Sequence, residues 1–331
     1  MSPSATSAPF YSQRRIGTLH ALQVPLGRSV SELLVLATRA DSLYRVAKSM
    51  TKADGTIRNT YDALEPLKEV HRRIKGQILD HVNYPAYLTG SIKGTDYKVN
   101  ASLHVRAKIV INEDISGFFP STSADRVFSI WRGFFGFSED VAQCLTQLTT
   151  KHGELPQGAI TSSFLANLVF WRDEPALRAR FAAQGLVYSR YVDDIAVSSK
   201  AFLTDEEKSD VVRHVYGMLR EHGYQPKRAK HEIATAGTRM AVTKLAVNAK
   251  PGLDKSARSR IRAVVHAVEQ RVASGEALSL ERGPYAQAMG QVRHLERFHP
   301  GEAAPLKQRL LALKKATKPQ SPNSDDHAET A

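Results

Sequence analysis

The centre of the chain contains the stretch LVYSRYVDDIAVSS at residues 186–199. Aromatic and β-branched residues favour two short strands on either side of Val192-Asp193-Asp194, which would form the turn of a hairpin. Such a turn holds two carboxylates close together on a rigid support. Like charges at that distance destabilise the fold unless a hard cation neutralises them. The stretch therefore predicts a hairpin whose tip binds a cation.

A third carboxylate is available from a second predicted strand. The β-branched run at residues 108–112 ends in Glu113 and Asp114, so a strand there would bring Asp114 to the edge of the same sheet. Three such carboxylates could hold two divalent ions about 3.5–4 Å apart, which would clamp the attacking and leaving oxygens of a phosphoryl transfer. The alternative is that Asp114 only caps the helix that follows it.

Hydrophobic spacing predicts a mixed fold outside these strands. Helices are predicted at residues 30–50, 64–81, 123–134 and 161–171, with Ser123 as a helix cap, and a hairpin is predicted around a turn at Asp54-Gly55. Residues 1–10 and 316–331 are rich in Ser, Thr, Ala and Pro, which predicts loose ends. The predicted fold class is α+β.

The region from Lys250 to Lys315 is predicted to be a small helical lobe of basic character. It contains 13 Lys and Arg residues but only 6 Asp and Glu residues. Lys255, Arg258 and Arg262 fall on one face of a predicted helix, and apolar residues fall on another. Such a basic face either touches nucleic acid or is only solvated.

Composition limits the possible functions. The 331-residue chain has a net charge of +13, which favours a nucleic-acid partner because neutralised phosphates release counterions; the alternative is that the charge only aids solubility. Its single cysteine, Cys144, excludes an intramolecular disulfide and favours a reducing compartment. No apolar run approaches the roughly 18 residues of a membrane helix, and residues 1–13 lack the apolar core of a signal peptide. We therefore expect a cytoplasmic protein of about two structural units that does not enter membranes.

Three segments resemble the sequence motifs of reverse transcriptases. They are DISGFFPS at residues 114–121, similar to motif A, LPQGAITSS at residues 155–163, similar to motif B, and YVDD at residues 191–194, similar to motif C. Two more resemble the retron subgroup: NASLH at residues 100–104 is similar to N-A-x-x-H, and VTKLAVN at residues 242–248 is similar to V-T-G-L-x-V-N, with Lys244 in place of the usual Gly. The resemblance extends over roughly residues 30–315 and indicates a bacterial retron-type reverse transcriptase.

The resemblance implies a right-hand polymerase fold with fingers, an antiparallel palm sheet with helices, and a small helical thumb. We expect an N-terminal extension at residues 1–27, the N-terminal part of the fingers at residues 28–105, and the palm with interleaved fingers elements at residues 106–248. A basic helical thumb at residues 249–315 and a disordered tail at residues 316–331 would follow.

The resemblance also assigns the catalytic residues. Asp114, Asp193 and Asp194 would bind two Mg²⁺ ions, and the carbonyl group of Ile115 would be an additional ligand. Lys230 resembles the motif D lysine that protonates pyrophosphate. Lys227 stays a rival for that role, because it stands where the family usually has Asn.

Nucleotide-binding roles follow in the same way. Arg58 would bind the triphosphate through its planar guanidinium group, with Lys52 as its lysine partner. Phe119 would lie against the sugar and exclude a 2′-hydroxyl, although one member of the Phe118-Phe119 pair must belong to the core. In the motif B turn, Gln157 and Gly158 would support the nucleotide and the template base.

The remaining assignments concern RNA. Asn100 and His104 would either contact RNA or order the junction between fingers and palm, and Lys255, Arg258 and Arg262 would hold a duplex by its phosphates. The implied reaction is DNA synthesis from dNTPs on a structured noncoding RNA that serves as template and primer. Synthesis would begin at a ribose 2′-hydroxyl, leave RNA-linked single-stranded DNA (msDNA), and serve antiphage defence alongside an effector protein.

Two alternatives to this function stay open on the sequence. One is another bacterial reverse transcriptase of the group II intron-like, diversity-generating or abortive-infection type. The other is a noncatalytic RNA-binding scaffold that retains a palm, which the presence of all three aspartates disfavours.

Overall fold

The computed structural model describes residues 6–51, 55–276 and 282–316. These residues form two compact units. The first runs to Thr243 and includes Val247–Lys250, and the second comprises Lys244–Ala246 and the described residues from Pro251 onward.

The first unit alternates short strands and helices. In chain order they are β1 (Phe10–Tyr11), α1 (Leu19–Leu26), α2 (Val30–Arg39), β2 (Tyr44–Thr51), β3 (Ile57–Ala63), α3 (Leu67–Gln77), β4 (Val82–Asn83), α4 (Tyr97–Ser102), β5 (Ile109–Asp114), α5 (Ala124–Ser129), α6 (Glu139–Thr149), α7 (Ser162–Asn167), α8 (Glu174–Ala183), β6 (Leu186–Tyr191), β7 (Asp194–Ser199), α9 (Asp205–Glu221), β8 (Glu232–Thr235) and β9 (Ala241–Val242). One-turn 3-10 helices lie at Ala40–Leu43, Leu79–His81 and Arg228–Lys230, and a π-helical turn lies at Ile130–Phe134.

A four-stranded antiparallel sheet organises this unit. Its strand order is β6-β7-β5-β8, so the predicted hairpin at residues 186–199 and the predicted strand at residues 108–112 are both confirmed. Apolar residues of β5, β6 and β7 join those of the surrounding helices in one buried cluster, which supplies the main driving force for folding. The combination of helices and sheet confirms the α+β class. Ser123 caps α5 as predicted, because its side chain accepts a hydrogen bond from the backbone N–H of Arg126.

Several predicted boundaries are wrong. The helix predicted at residues 30–50 ends at Arg39, and residues 44–51 form β2 instead, because they pair with β3 in a hairpin. Pairing with a distant partner overrides local helical spacing here. The helix predicted at residues 161–171 is regular only over α7. The N-terminal loose end is shorter than predicted, since Phe10 pairs with Asn83.

The second unit is helical, as predicted. It contains β10 (Leu245–Ala246), α10 (Lys255–Ala273), α11 (Gly283–Glu296) and α12 (Pro300–Ala316). The three helices bury a separate apolar cluster built from residues such as Val265, Val292 and Leu310. The predicted disordered tail, apart from Ala316, lies outside the described residues. Within the described ranges, no helix combines the length and apolar character needed to cross a bilayer.

Candidate active site

Antiparallel pairing brings the three aspartates to one end of the sheet. Asp114 is the last residue of β5 and lies opposite Asp194, the first residue of β7. The backbone N–H of Ile115 donates to the carbonyl oxygen of Asp193 at 3.1 Å. Val192 reverses the chain in a left-handed conformation, with φ of 59°. The sheet register thus joins acids that are far apart in the sequence.

Asp114 is buried and Asp193 and Asp194 are half-buried beside it, and the pKa values of Asp193 and Asp194 are raised. Burial, followed by the charges of Asp193 and Asp114, raises the pKa of Asp194 to about 7. Burial and the charge of Asp114 also raise the pKa of Asp193. Asp194 shares a side-chain hydrogen bond with Asp114. Carboxylates in this environment lack sufficient positive charge nearby, which is the property expected of ligands for a hard cation.

Lys230 is the lysine whose ammonium group lies at the aspartates. Its Nζ contacts Oδ2 of Asp114, and its pKa is raised because, although burial acts in the opposite direction, the hydrogen bond and charge of Asp114 outweigh it. Lys227 contributes its backbone N–H, which donates to the carbonyl oxygen of Asp114 at 2.7 Å, while the residue itself is exposed. The geometry favours Lys230 over Lys227 for the motif D role.

The donor set fits a divalent metal ion, although no metal cage is already formed. Among the described residues, no group of three or more His, Cys, Asp or Glu side chains is arranged to hold an ion. The oxygens of Asp114, Asp193 and Asp194 are nevertheless the ligand type that hard cations prefer. The raised pKa values of Asp193 and Asp194 show that positive charge beside these two carboxylates would stabilise their ionised form. Because the ammonium group of Lys230 contacts Asp114, an ion bound there would have to displace it.

The LPQG turn at residues 155–158 contacts the β2–β3 hairpin. Nε of Arg58 donates to Oε1 of Gln157 at 2.9 Å, and the N–H of Tyr61 donates to the Gln157 carbonyl oxygen at 2.7 Å. A Cβ on Gly158, whose φ is 101°, would lie 2.9 Å from the Tyr61 carbonyl oxygen. Gly158 is therefore required for the approach of β3. Lys52 lies outside the described residues.

The two adjacent phenylalanines have different environments. Phe118 is 3% exposed and packs against Phe170 and Tyr224, so it is the core member of the pair. Phe119 is half-buried, and its ring lies edge-on to Phe118 with 5.8 Å between centroids. The partly accessible ring of Phe119 is compatible with the predicted sugar contact.

Asn100 and His104 are buried, so of their two expected roles the geometry favours ordering the chain over contact with RNA. Each is 1% exposed. Nδ1 of His104 lies 2.8 Å from Oγ of Ser198 and Nε2 lies 2.7 Å from Oγ of Ser189, so the ring bridges β6 and β7. Burial lowers the pKa of His104 to about 4, which keeps the ring neutral at pH 7. Asn100 accepts a hydrogen bond from Thr89 at 2.8 Å, so this geometry fits an ordering role.

The predicted basic face of α10 is partly neutralised. Arg258 and Arg262 both contact Glu302 of α12, the second at 3.2 Å. Lys255, at the first turn of the helix, is exposed. Two of the three cations thus help to join helices of the second unit, and Lys255 is the member of the set best placed to meet a phosphate.

Sequence reasoning missed the buried arginine beside the aspartates. Nε and Nη2 of Arg190 donate to the two carboxylate oxygens of Glu174 at 2.6 and 2.8 Å, and both side chains are almost fully buried. Nη2 also donates to the Asn167 carbonyl at 2.9 Å and Nη1 to the Val192 carbonyl at 3.1 Å. Arg190 thereby joins the aspartate-bearing turn to the end of α7. The sequence contains one signal for this residue, because Arg190 is a charged residue within the β-forming run at residues 186–191.

A glycine also packs against this turn. A Cβ on Gly90 would lie 2.5 Å from the backbone nitrogen of Val192, so only glycine allows this approach. The Gly90 carbonyl accepts a hydrogen bond from Asn167 at 2.7 Å. Gly90 therefore packs directly against the backbone of the turn, and Asn167 holds Gly90 in place.

Two strand-end aspartates on a tight turn, a third aspartate on the neighbouring strand and a lysine in contact with it define a nucleotidyl-transfer enzyme of the polymerase class. A family model described as reverse transcriptase (RNA-dependent DNA polymerase) matches residues 50–270. The chain belongs to this family, and within it to the retron-type reverse transcriptases. It is an RNA-directed DNA polymerase, and its family uses divalent metal ions.

Curated relatives carry the subgroup assignment. The chain is 31% identical over 303 residues to the retron Se72 reverse transcriptase of Salmonella heidelberg, an alignment that covers 90% of this chain and 80% of the relative. It is 30% identical over 318 residues to the retron Ec48 reverse transcriptase of Escherichia coli, covering 92% and 78%. Identity to the retron Ec86 reverse transcriptase of Escherichia coli is 26% over 253 residues, covering 76% and 78%.

Proposed function

We propose that this reverse transcriptase copies a structured noncoding RNA, which serves as template and primer, into RNA-linked single-stranded DNA. The observation that carries the proposal is the meeting of Asp114, Asp193 and Asp194 at one end of the sheet, beside Lys230. The similarity to retron reverse transcriptases supports the choice of RNA and product.

The three aspartates would hold two Mg²⁺ ions, with the Ile115 carbonyl as a further oxygen ligand. Bound magnesium would activate the attacking hydroxyl group and stabilise the departing pyrophosphate. Lys230 would leave Asp114 and donate a proton to the pyrophosphate. The role of the sheet is to hold all three carboxylates in a fixed register, so that little reorganisation is needed during the reaction.

Residues beside the LPQG turn would bind the nucleotide. Arg58 would exchange its bond to Gln157 for triphosphate oxygens, with Lys52 as a second cation. Phe119 would exclude a 2′-hydroxyl group from the sugar position.

We expect Phe119→Val to raise the ratio of rNTP to dNTP incorporation by at least about tenfold, because a lost steric clash of this kind is worth ~1–3 kcal/mol. Incorporation of each rNTP and dNTP by the two proteins measures this, and an unchanged ratio would remove Phe119 from the role.

The wider architecture would follow the right-hand plan. Fingers (residues 28–105) and palm (residues 106–248) would lie in the first unit, and the thumb (residues 249–315) would correspond to the second. The exposed Lys255 would contact the RNA backbone. We place the reaction in the cytoplasm, in antiphage defence with an effector protein, because of the similarity to retron enzymes.

The test is a primer-extension assay on the chain purified with its cognate RNA, with and without Mg²⁺. The expected product is DNA that stays covalently linked to RNA on a denaturing gel and that shortens on ribonuclease treatment. Asp193→Asn is the matched inactive control, since it keeps the side-chain volume. DNA that is never linked to RNA would contradict priming from a 2′-hydroxyl and would leave the polymerase activity itself intact. Phage plating on cells that carry either protein tests the defence role.

A further inference from the structure

The segment that carries Lys230 is a bulge alongside β5. At one end, the N–H of Lys227 donates to the carbonyl oxygen of Asp114 at 2.7 Å. At the other end, Glu232 is the register partner of Asn112. Residues 228–231 therefore span a gap that β5 covers with the single residue Glu113. Backbone pairing with β5 fixes the two ends of this bulge. Within it, the N–H groups of Lys230 and His231 donate to the carbonyl oxygens of Lys227 and Arg228, which shapes the turn but does not attach it to β5.

Side chains close the bulge behind the sheet. His231 donates from Nδ1 to Oε1 of Glu113 at 2.6 Å, and the hydroxyl of Tyr216 on α9 donates to Oε2 at 3.0 Å. The Glu113 side chain is 1% exposed, whereas that of His231 is 34% exposed. Burial and the charge of Glu113 raise the pKa of Tyr216 to about 12, so its hydroxyl stays a donor at neutral pH. Glu113 is thus an internal anchor with one partner on α9 and one on the bulge.

The two contacts of the bulge are adjacent in both chain segments. Glu113 and Asp114 are neighbours on a strand, so their side chains point to opposite faces of the sheet. Lys230 and His231 are neighbours in the bulge, and they contact Asp114 and Glu113 respectively. A change in the His231–Glu113 contact on one face of the sheet must therefore move Lys230, which contacts Asp114 on the other face.

We propose that Glu113 and His231 form a tether that sets the position of Lys230, which makes His231 a positioning residue for nucleotide addition. The inference rests on the role of Lys230 in the proposed function. His231 contacts Glu113, whose side chain points to the face of the sheet opposite that of Asp114, so its effect on nucleotide addition would pass through Lys230. It acts by holding the 3-10 turn at Arg228–Lys230 where Lys230 reaches the reaction centre.

The experiment compares His231→Ala, His231→Asn and His231→Gln in the full chain with its RNA. The nitrogen of an asparagine amide can occupy the place of Nδ1, whereas that of glutamine extends towards the place of Nε2. We expect His231→Ala to slow single-turnover dNTP incorporation on the order of tenfold, because small misplacements of a catalytic group have effects of this size. His231→Asn should recover most of the rate and His231→Gln should not. RNA affinity and the apparent KM for dNTP should stay unchanged.

A double-mutant cycle with Lys230→Ala decides whether the effect passes through Lys230. If His231 acts by positioning Lys230, adding His231→Ala to Lys230→Ala should slow the reaction no further. His214→Ala is the control, because it removes another histidine–carboxylate contact, with Asp210 on α9. It should keep the wild-type rate.

Four results would overturn the inference. A wild-type rate in His231→Ala, or an equal loss with and without Lys230, contradicts positioning and leaves the proposed function intact. A wild-type rate in Lys230→Ala refutes the role of Lys230 itself and the tether with it. If His231→Ala lowers the melting temperature, the difference between the asparagine and glutamine variants still decides, and equal rates for these two contradict the tether.

Discussion

Two ion pairs beside the same hairpin have opposite characters. Arg190 and Glu174 are 0% and 1% exposed, and the guanidinium group is bonded to two carboxylate oxygens and to backbone carbonyls. Lys230 keeps 52% of its side chain exposed while it contacts Asp114, which is 5% exposed. The first pair is enclosed on all sides, and the second is open to solvent on the lysine side.

The difference separates support from chemistry. A planar guanidinium group with its donors bonded to fixed acceptors cannot change partners without leaving buried polar groups unsatisfied. A half-exposed ammonium group loses little when it moves, because water replaces the lost contact. We therefore infer that Arg190–Glu174 holds the aspartate turn in place, while Lys230–Asp114 exchanges partners during the reaction.

The largest expected effect is a loss of dNTP incorporation when one of the aspartates beside Lys230 is changed. Asp193→Asn removes one carboxylate charge and keeps the shape of the turn, so dNTP incorporation should fall by about 10²–10³-fold, the scale for removing a group that stabilises charge in a transition state. RNA affinity should stay close to that of the wild type. Primer extension and filter binding measure the two quantities, with Asp205→Asn on the exposed start of α9 as the control. Retained polymerisation in Asp193→Asn would refute the site.

The second effect concerns the enclosed pair. Arg190→Met leaves Glu174 buried without its partner, which should lower the free energy of unfolding by about 3–5 kcal/mol. Arg213→Met removes the exposed pair with Asp210 and should cost less than about 1 kcal/mol. Urea denaturation of the RNA-free protein measures both. Similar losses in the two variants would contradict the supporting role of Arg190.

Local sequence predicted the strands that carry the aspartates because their apolar residues are buried as well as β-forming. Ile109, Val110 and Ile111 are at most 1% exposed, so composition and environment agree there. β2 was missed because only Tyr44 of that strand is buried and its pairing with β3 is what makes it a strand. Periodicity carries no signal for an exposed strand of this kind.

The sequence likewise predicts some residues of the candidate site, whereas other contacts become visible only in the fold. Asp114, Asp193 and Asp194 could be named from the motifs, and the sheet brings them together. The partners of Arg190 and His231 could not be named, because Glu174 and Glu113 are two of many acids and only the fold decides which faces meet. The N-A-x-x-H pattern identifies His104 but does not show its burial, so the pattern alone leaves RNA contact and an ordering role both open.

The stability of the folded protein should depend on pH through Asp194. The pKa of Asp194 is raised from 3.8 to about 7 in the folded state, so the folded protein holds an extra proton between those pH values. The resulting stabilisation is fully present below about pH 4 and is lost as the pH rises through 7. In metal-free buffer, the melting temperature of the wild type should therefore fall relative to that of Asp194→Asn between pH 5 and pH 8, and Asp125→Asn, at an exposed position on α5, should follow the wild type. A constant difference over that range would contradict the raised pKa.

The smallest expected effect is the loss of stability in Lys230→Met, which replaces Lys230 by the same residue as Arg190→Met does. Lys230→Met keeps the apolar stem and removes the ammonium group, and we expect a smaller loss of stability than in Arg190→Met, because water already reaches the Lys230 side of this pair and replaces part of the lost contact. The lysine charge lowers the pKa of Asp194, so the variant should also move the pH-dependent loss of stability to higher pH. Urea denaturation of Lys230→Met and Arg190→Met under one set of conditions measures the contrast directly. A loss in Lys230→Met as large as that in Arg190→Met would show that Lys230 supports the fold as Arg190 does, and would contradict an ammonium group that changes partners.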